Sequence, residues 1–113
     1  MGATKKDQYS SQQLSFALTA KALGHPARIA IIQHLAKQGL SNNYTFMLVT
    51  QLAHATVCQH LTVLQQAGII DETFIYDQHY YFLTDSSTKS VIKLKRVILP
   101  SRSRRNSAKK RIP

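Results

Sequence analysis

The sequence predicts a mainly α-helical domain closed by one small β-hairpin, an α+β fold. Three observations carry that expectation. Apolar residues recur at helical spacing through most of residues 11–67, broken by glycine and proline. Residues 69–84 are instead rich in β-branched and aromatic side chains and contain neither Gly nor Pro. Helical spacing then returns after Ser87.

Taken in order, residues 1–10 are polar, and a flexible N-terminus is expected. Leu14, Phe16, Leu18 and Ala22 mark a first helix over residues 11–23. Gly24-His25-Pro26 interrupts it, because proline disfavours helical geometry in the residue before it. Pro26 suits the first turn of a second helix, where its missing N–H would be unpaired anyway. That helix runs to about Gln38, with Ile31, Ile32 and Leu35 on one face and Gly39 as C-cap. Arg28 and Lys37 lie elsewhere on its surface. Residues 40–45 read as a polar linker and 46–52 as a short apolar helix.

Residues 53–67 are the most legible stretch. At ~100° per residue, Val57, Leu61 and Leu64 share one face, bordered by His60. Ala55, Gln59, Thr62 and Gln66 fall opposite, flanked by Cys58, and Gly68 closes the helix in a left-handed cap. Residues 69–76 and 79–84 pair as a hairpin with Asp77-Gln78 at the tip. Tyr76, Tyr80 and Tyr81 belong to core and wing rather than to base stacking. Ser86 or Ser87 caps a last helix carrying Val91, Ile92, Leu94, Val97, Ile98 and Leu99, which Pro100 ends. This order of elements is that of a winged helix-turn-helix over residues 11–99, with a disordered basic tail over 100–113.

The chain has 113 residues, 15 Lys+Arg and 5 Asp+Glu, for a formal charge of +10. Residues 1–88 contain five basic and all five acidic residues; residues 89–113 contain the other ten basic residues and no acid. A neutral body with a cationic end takes a polyanion as partner; with the element order of a winged helix-turn-helix, the expected partner is double-stranded DNA. The longest apolar runs span four residues, so no membrane span is expected. The N-terminus has no apolar run of the secretory kind. The single cysteine, Cys58, excludes an intrachain disulfide and multi-cysteine zinc sites. A cytoplasmic protein is expected. No Ser-His-Asp arrangement, carboxylate pair or phosphate loop is evident, so neither an enzyme nor a cofactor is expected. Small, uncharged side chains on the outer face of residues 53–67 allow close approach to a major groove, and Gln59 has the bidentate amide that suits adenine.

The residues also carry a family resemblance. Pro26-Ala27-Arg28-Ile29-Ala30-Ile31-Ile32 resembles the Pro-x-Arg-x-x-Ile-Leu opening of ArsR/SmtB-type repressors. Thr56-Val57-Cys58-Gln59-His60-Leu61, then Leu64 and Ala67-Gly68, is similar to that family's Thr-Val-Ser-x-His-Leu-x-x-Leu-x-x-Ala-Gly block. Tyr80-Tyr81-Phe82-Leu83 resembles its Tyr-Tyr-x-Leu wing strand. The resemblance implies a homodimeric transcriptional repressor. It places His54, Ala55, Thr56, Cys58 and Gln59 toward DNA, with Thr62 beside them, and turns His60 and Leu61 inward. The first and last helices would form the dimer interface, through Leu14, Phe16 and Leu18 and through Val91, Leu94 and Ile98.

Departures from the family pattern bear on regulation. Where its metal sensors often place Cys-x-Cys, this chain has Ser41 and Asn43, and Asp85-Ser86-Ser87 lacks the histidine of another family site. No metal site is expected. The wing has Tyr76-Asp77-Gln78-His79 in place of Gly and Arg, with Asp71 and Glu72 behind it, so wing contacts with DNA should be weak. Ala53 stands where a capping serine is usual, a loss of ~1 kcal/mol.

Alternatives stand beside several of these readings. His54, Cys58 and His60 could share a metal, the first two lying four residues apart, and the lone thiol could form an intersubunit or mixed disulfide; groove contact and packing are the readings taken. The last helix could merely cover the hairpin of its own chain. The tail could be solvated, or Arg102, Arg104 and Arg105 could track phosphates and compensate for the wing, the reading taken here. For the whole chain, the runner-up is a winged-helix protein-interaction module or a non-specific nucleic-acid binder acting through the tail. The sequence leaves open a small-molecule or protein effector.

Overall fold

Ser10 opens the first helix. Its hydroxyl accepts from the Gln13 amide at 3.0 Å while the Gln13 side chain accepts from the Ser10 amide at 2.9 Å. This reciprocal capping box starts α1 (Ser11–Ala22). The computed structural model describes residues 8–87 together with Lys89, Ile92 and Arg96. After Gly24, the His25 Nδ1 accepts from the Ala27 amide at 3.0 Å and caps α2 (Pro26–Gln38), with Pro26 in its first turn. The helix ends at Gly39, as expected.

The next helix begins earlier than its apolar residues suggest. Asn42 accepts from the Thr45 amide at 2.9 Å, so α3 (Asn43–Thr50) takes in three residues of the expected linker. It stops where Gln51 turns left-handed at φ 60°. After a short turn follows α4 (His54–Gln66), whose N-cap Ala53 makes no side-chain hydrogen bond. At its C-terminus Gly68 has φ 74°, its amide reaches the Gln65 carbonyl at 2.9 Å, and the Ile69 amide reaches Leu64 at 3.0 Å. That pair of bonds is a Schellman cap, which needs a residue free to adopt positive φ.

Strands β1 (Ile70–Ile75) and β2 (Gln78–Leu83) pair antiparallel in the register Ile70↔Leu83 to Ile75↔Gln78. The tip is therefore Tyr76-Asp77, one residue before the expected Asp77-Gln78. Both tip residues have positive φ, 49° and 68°, as a two-residue type I′ turn requires. A single bridge, Ser41↔Tyr81, ties β2 to the segment before α3. The described residues 85–87, 89, 92 and 96 are helical, so helical geometry is already present at Asp85 and neither Ser86 nor Ser87 is the cap.

The core lies where α2, α3, α4 and the hairpin base converge. Ile31 and Leu35, Phe46, Val57, Leu61 and Leu64, and Ile70 with Tyr81 are all buried there. Arg28 is not a free surface cation. Its Nε donates to the Ala22 carbonyl at 2.8 Å and its Nη2 to the Lys21 carbonyl at 3.1 Å, so it closes the C-terminus of α1. Residues 1–7, the interface candidates Val91, Leu94 and Ile98, and the tail with Arg102, Arg104 and Arg105 lie outside the described residues.

Candidate nucleic-acid interface

Helix α4 divides as its sequence pattern requires. Val57, His60, Leu61 and Leu64 are buried, while His54, Ala55, Gln59, Thr62 and Gln66 are exposed. Thr56 and Cys58 are half-buried at the boundary. The exposed face therefore carries amide, hydroxyl, imidazole and methyl groups and no formal charge. No acid lies anywhere between residues 46 and 70, so nothing on this helix or in the turn before it repels a phosphate.

Two of the expected groove residues are partly engaged within the protein. The Thr62 hydroxyl donates to the Cys58 carbonyl one turn back at 2.9 Å, leaving its methyl and oxygen lone pairs to face outward. The Cys58 Sγ accepts from Asn43 Nδ2 on α3 at 3.2 Å and lies 3.7 Å from His54 Nδ1. Cys58 thus joins the two helices of the helix-turn-helix as well as bordering its outer face. Among the described residues, no group of three or more His, Cys, Asp or Glu side chains converges.

Beneath this face, His60 fixes α4 to the rest of the fold. Its Nδ1 accepts from Arg28 Nη1 at 3.0 Å, and its ring lies 4.4 Å from that of His25. Burial, with His25 and Arg28 beside it, holds the imidazole below its ordinary pKa. The neutral ring is therefore the form that accepts the guanidinium hydrogen bond. One charge-bearing side chain, Arg28, so links α1, the start of α2 and α4. Sequence reasoning turned His60 inward but missed this link, because the partners of Arg28 are mostly backbone carbonyls.

The hairpin offers a different surface. Phe74, Ile75 and Tyr76 are 65%, 40% and 95% exposed, so Tyr76 stands out at the tip. Tyr81 is buried in the core, whereas Tyr80 is half-buried. Glu72 meets His79 at 2.6 Å, and Phe74 stacks on the His79 ring with centroids 4.6 Å apart. Asp71 and Asp77 add two carboxyl groups, and no Lys or Arg lies in residues 70–83. On α1, Leu14 and Leu18, one turn apart, are 41% and 44% exposed and not covered by the described residues of the chain, while Phe16 is half-buried on another side of the helix.

No protein-family model matches the chain, and no curated protein matches it significantly. Solved structures do. HlyU from Vibrio cholerae superposes with a TM-score of 0.64 at 18% identity, over 80% of this chain and 98% of that one. The transcriptional repressor BigR from Xylella fastidiosa gives 0.60 at 20% identity, over 90% and 100%. The homodimeric winged helix-turn-helix DNA-binding domain Mb0332 from Mycobacterium bovis, a possible ArsR-family regulator, gives 0.62 at 21%, over 80% and 86%. The fold is thus a winged helix-turn-helix: α3 and α4 form the helix-turn-helix and the hairpin is the wing.

Proposed function

We propose that this winged helix-turn-helix is a sequence-specific, DNA-binding transcriptional regulator that acts as a homodimeric repressor. The observation that carries the reading is the outer face of α4, which is exposed, uncharged and free of acidic neighbours on a frame of groove-reading shape. BigR is a transcriptional repressor, and Mb0332 is a homodimeric DNA-binding domain of the same fold, which supports the reading. No catalytic step belongs to it.

In this account His54, Ala55, Thr56, Cys58, Gln59 and Thr62 meet the major groove. Gln59 makes the bidentate contact, because its amide offers a donor and an acceptor together. Ala53 leaves the first amides of α4 without a side-chain acceptor, so they are open to a backbone phosphate at the positive end of the helix dipole. Arg102, Arg104 and Arg105 hold phosphates beside the site in place of the acidic wing. The exposed Leu14 and Leu18, with Phe16, pair with Val91, Leu94 and Ile98 of a second copy.

The test is Gln59→Ala, measured by fluorescence anisotropy on a preferred duplex and on a scrambled one. A loss of about 1–3 kcal/mol on the preferred duplex alone is expected. Equal loss on both would assign Gln59 to the backbone and remove it from base reading.

A further inference from the structure

The chain separates its charges into two poles. Four of its five acids, Asp71, Glu72, Asp77 and Asp85, lie in or beside the hairpin, while residues 89–113 hold ten basic residues and no acid. The acidic pole is also the most exposed apolar part of the described hairpin, through Phe74, Ile75 and Tyr76. A wing built to lie along phosphates gains nothing from three carboxylates and an aromatic tip. A cationic, arginine-rich peptide gains from both, since guanidinium groups pair with carboxylates and stack on aromatic faces.

We infer that the wing is a docking surface for the chain's own basic segment, residues 101–113, when no nucleic acid is present. Asp77 lies in the turn beside Tyr76, whereas Asp71 and Glu72 lie toward the base of β1, opposite Phe82 and Tyr81 and on its two faces, so carboxyl groups are spread along the hairpin. Tyr76, next to Asp77 at the tip, is 95% exposed and offers a full ring face to Arg102, Arg104 or Arg105. Glu72 keeps its contact with His79, which orients the Phe74 ring stacked on the same imidazole. Fully extended chain spans up to about 30 Å from Arg96 to Arg105 and about 50 Å to Arg111, and a six-residue strand is about 20 Å long.

Each exposed ion pair contributes little alone. Tethering changes the balance, because a connection within one chain holds the segment at a local concentration on the order of millimolar. Several weak contacts then suffice to occupy the wing. DNA presents about one phosphate per 1.7 Å of axis and outcompetes three carboxylates. With the proposed function, on which this consequence alone rests, the wing shields the tail from stray polyanions of low charge density and yields it to a duplex.

The test uses the full chain without DNA, so it stands or falls separately from the DNA-binding reading. Asp71→Asn, Glu72→Gln and Asp77→Asn are combined. All three sites are exposed, Asn at 71 keeps the oxygen that accepts from the Glu72 amide, and Asn tolerates the positive φ of residue 77. Trypsin cleavage after Arg102, Arg104 and Arg105 is followed by mass spectrometry. At about 50 mM salt the variant is expected to be cut there at least about threefold faster than the parent chain, and at about 500 mM the difference should close. Equal rates at low salt overturn the proposal. Protection that grows with protein concentration also overturns it, assigning the contact to a second copy. As a direct readout, amide NMR signals of residues 74–77 should move with salt in the parent chain and stay still in Arg102→Ser/Arg104→Ser/Arg105→Ser; identical salt shifts in both count against the contact.

Discussion

His60 sits where α1, α2 and α4 meet, and its protonation state decides whether they stay joined. As a neutral ring it accepts from Arg28, which in turn holds the last carbonyls of α1. Its pKa in the fold is lowered by burial first, then by His25 and Arg28. The unfolded chain, with His60 near its ordinary pKa of about 6.5, therefore binds more protons than the folded one just below that pH. The stabilisation is full above about pH 6.5 and is lost as pH falls through the folded value. Urea denaturation from about pH 7.5 down to about pH 5 should show stability falling with pH. His60→Asn, which keeps an acceptor for Arg28, should flatten that dependence. An unchanged slope would mean that His60 is not the group responsible. At this scale the 3.6-residue period placed His60 at the border of the apolar face, and the family resemblance turned it inward. The roles of Arg28, His25 and Asn43 were not, because each depends on a partner brought close only by packing.

Among the elements, α4 is the one whose sequence agrees with its structure at every level. Its apolar face, polar face and Gly68 stop all follow from spacing and backbone freedom. The start of α3 was misread because its first turn, Asn43-Tyr44-Thr45, has no buried apolar side chain; only the Asn42 cap marks it. The hairpin tip was displaced by one residue for a similar reason. Tyr76-Asp77 lacks the Asn-Gly signature of a type I′ turn, and the register is set by the pairing of the strands. The turn is consequently strained, since a residue with a Cβ at left-handed φ costs about 1–2 kcal/mol. Tyr76→Asn with Asp77→Gly should raise stability by about 1 kcal/mol, read as a higher urea midpoint at unchanged slope. A lower midpoint would show that the Tyr76 ring contributes more at the tip than the turn costs. At the interior of α4, Leu61 is 1% exposed, and Leu61→Ala should cost about 2–5 kcal/mol in the same experiment.

For the whole molecule, what matters is how charge and apolar surface are distributed between α4, the wing and the ends of the chain. The net charge of +10 resides in the C-terminal quarter, so salt dependence belongs chiefly to that end. If the tail's six basic residues all reach phosphates, removing residues 101–113 should lower the magnitude of the slope of log K against log salt by up to about 5. A slope that survives truncation would place the phosphate contacts on the helical body. The fold and the buried face of the site were legible because both follow from local periodicity. The apolar face of α1 and the basic end were legible only as patterns, since periodicity and charge do not say what either one meets.

Selection of bound duplexes from a random pool by the full chain, followed by sequencing, tests the central claim most directly. A homodimer reading bases with two copies of α4 predicts one enriched motif, with two inverted half-sites centred about 10 base pairs or a multiple apart. A bound pool as random as the starting one would contradict it.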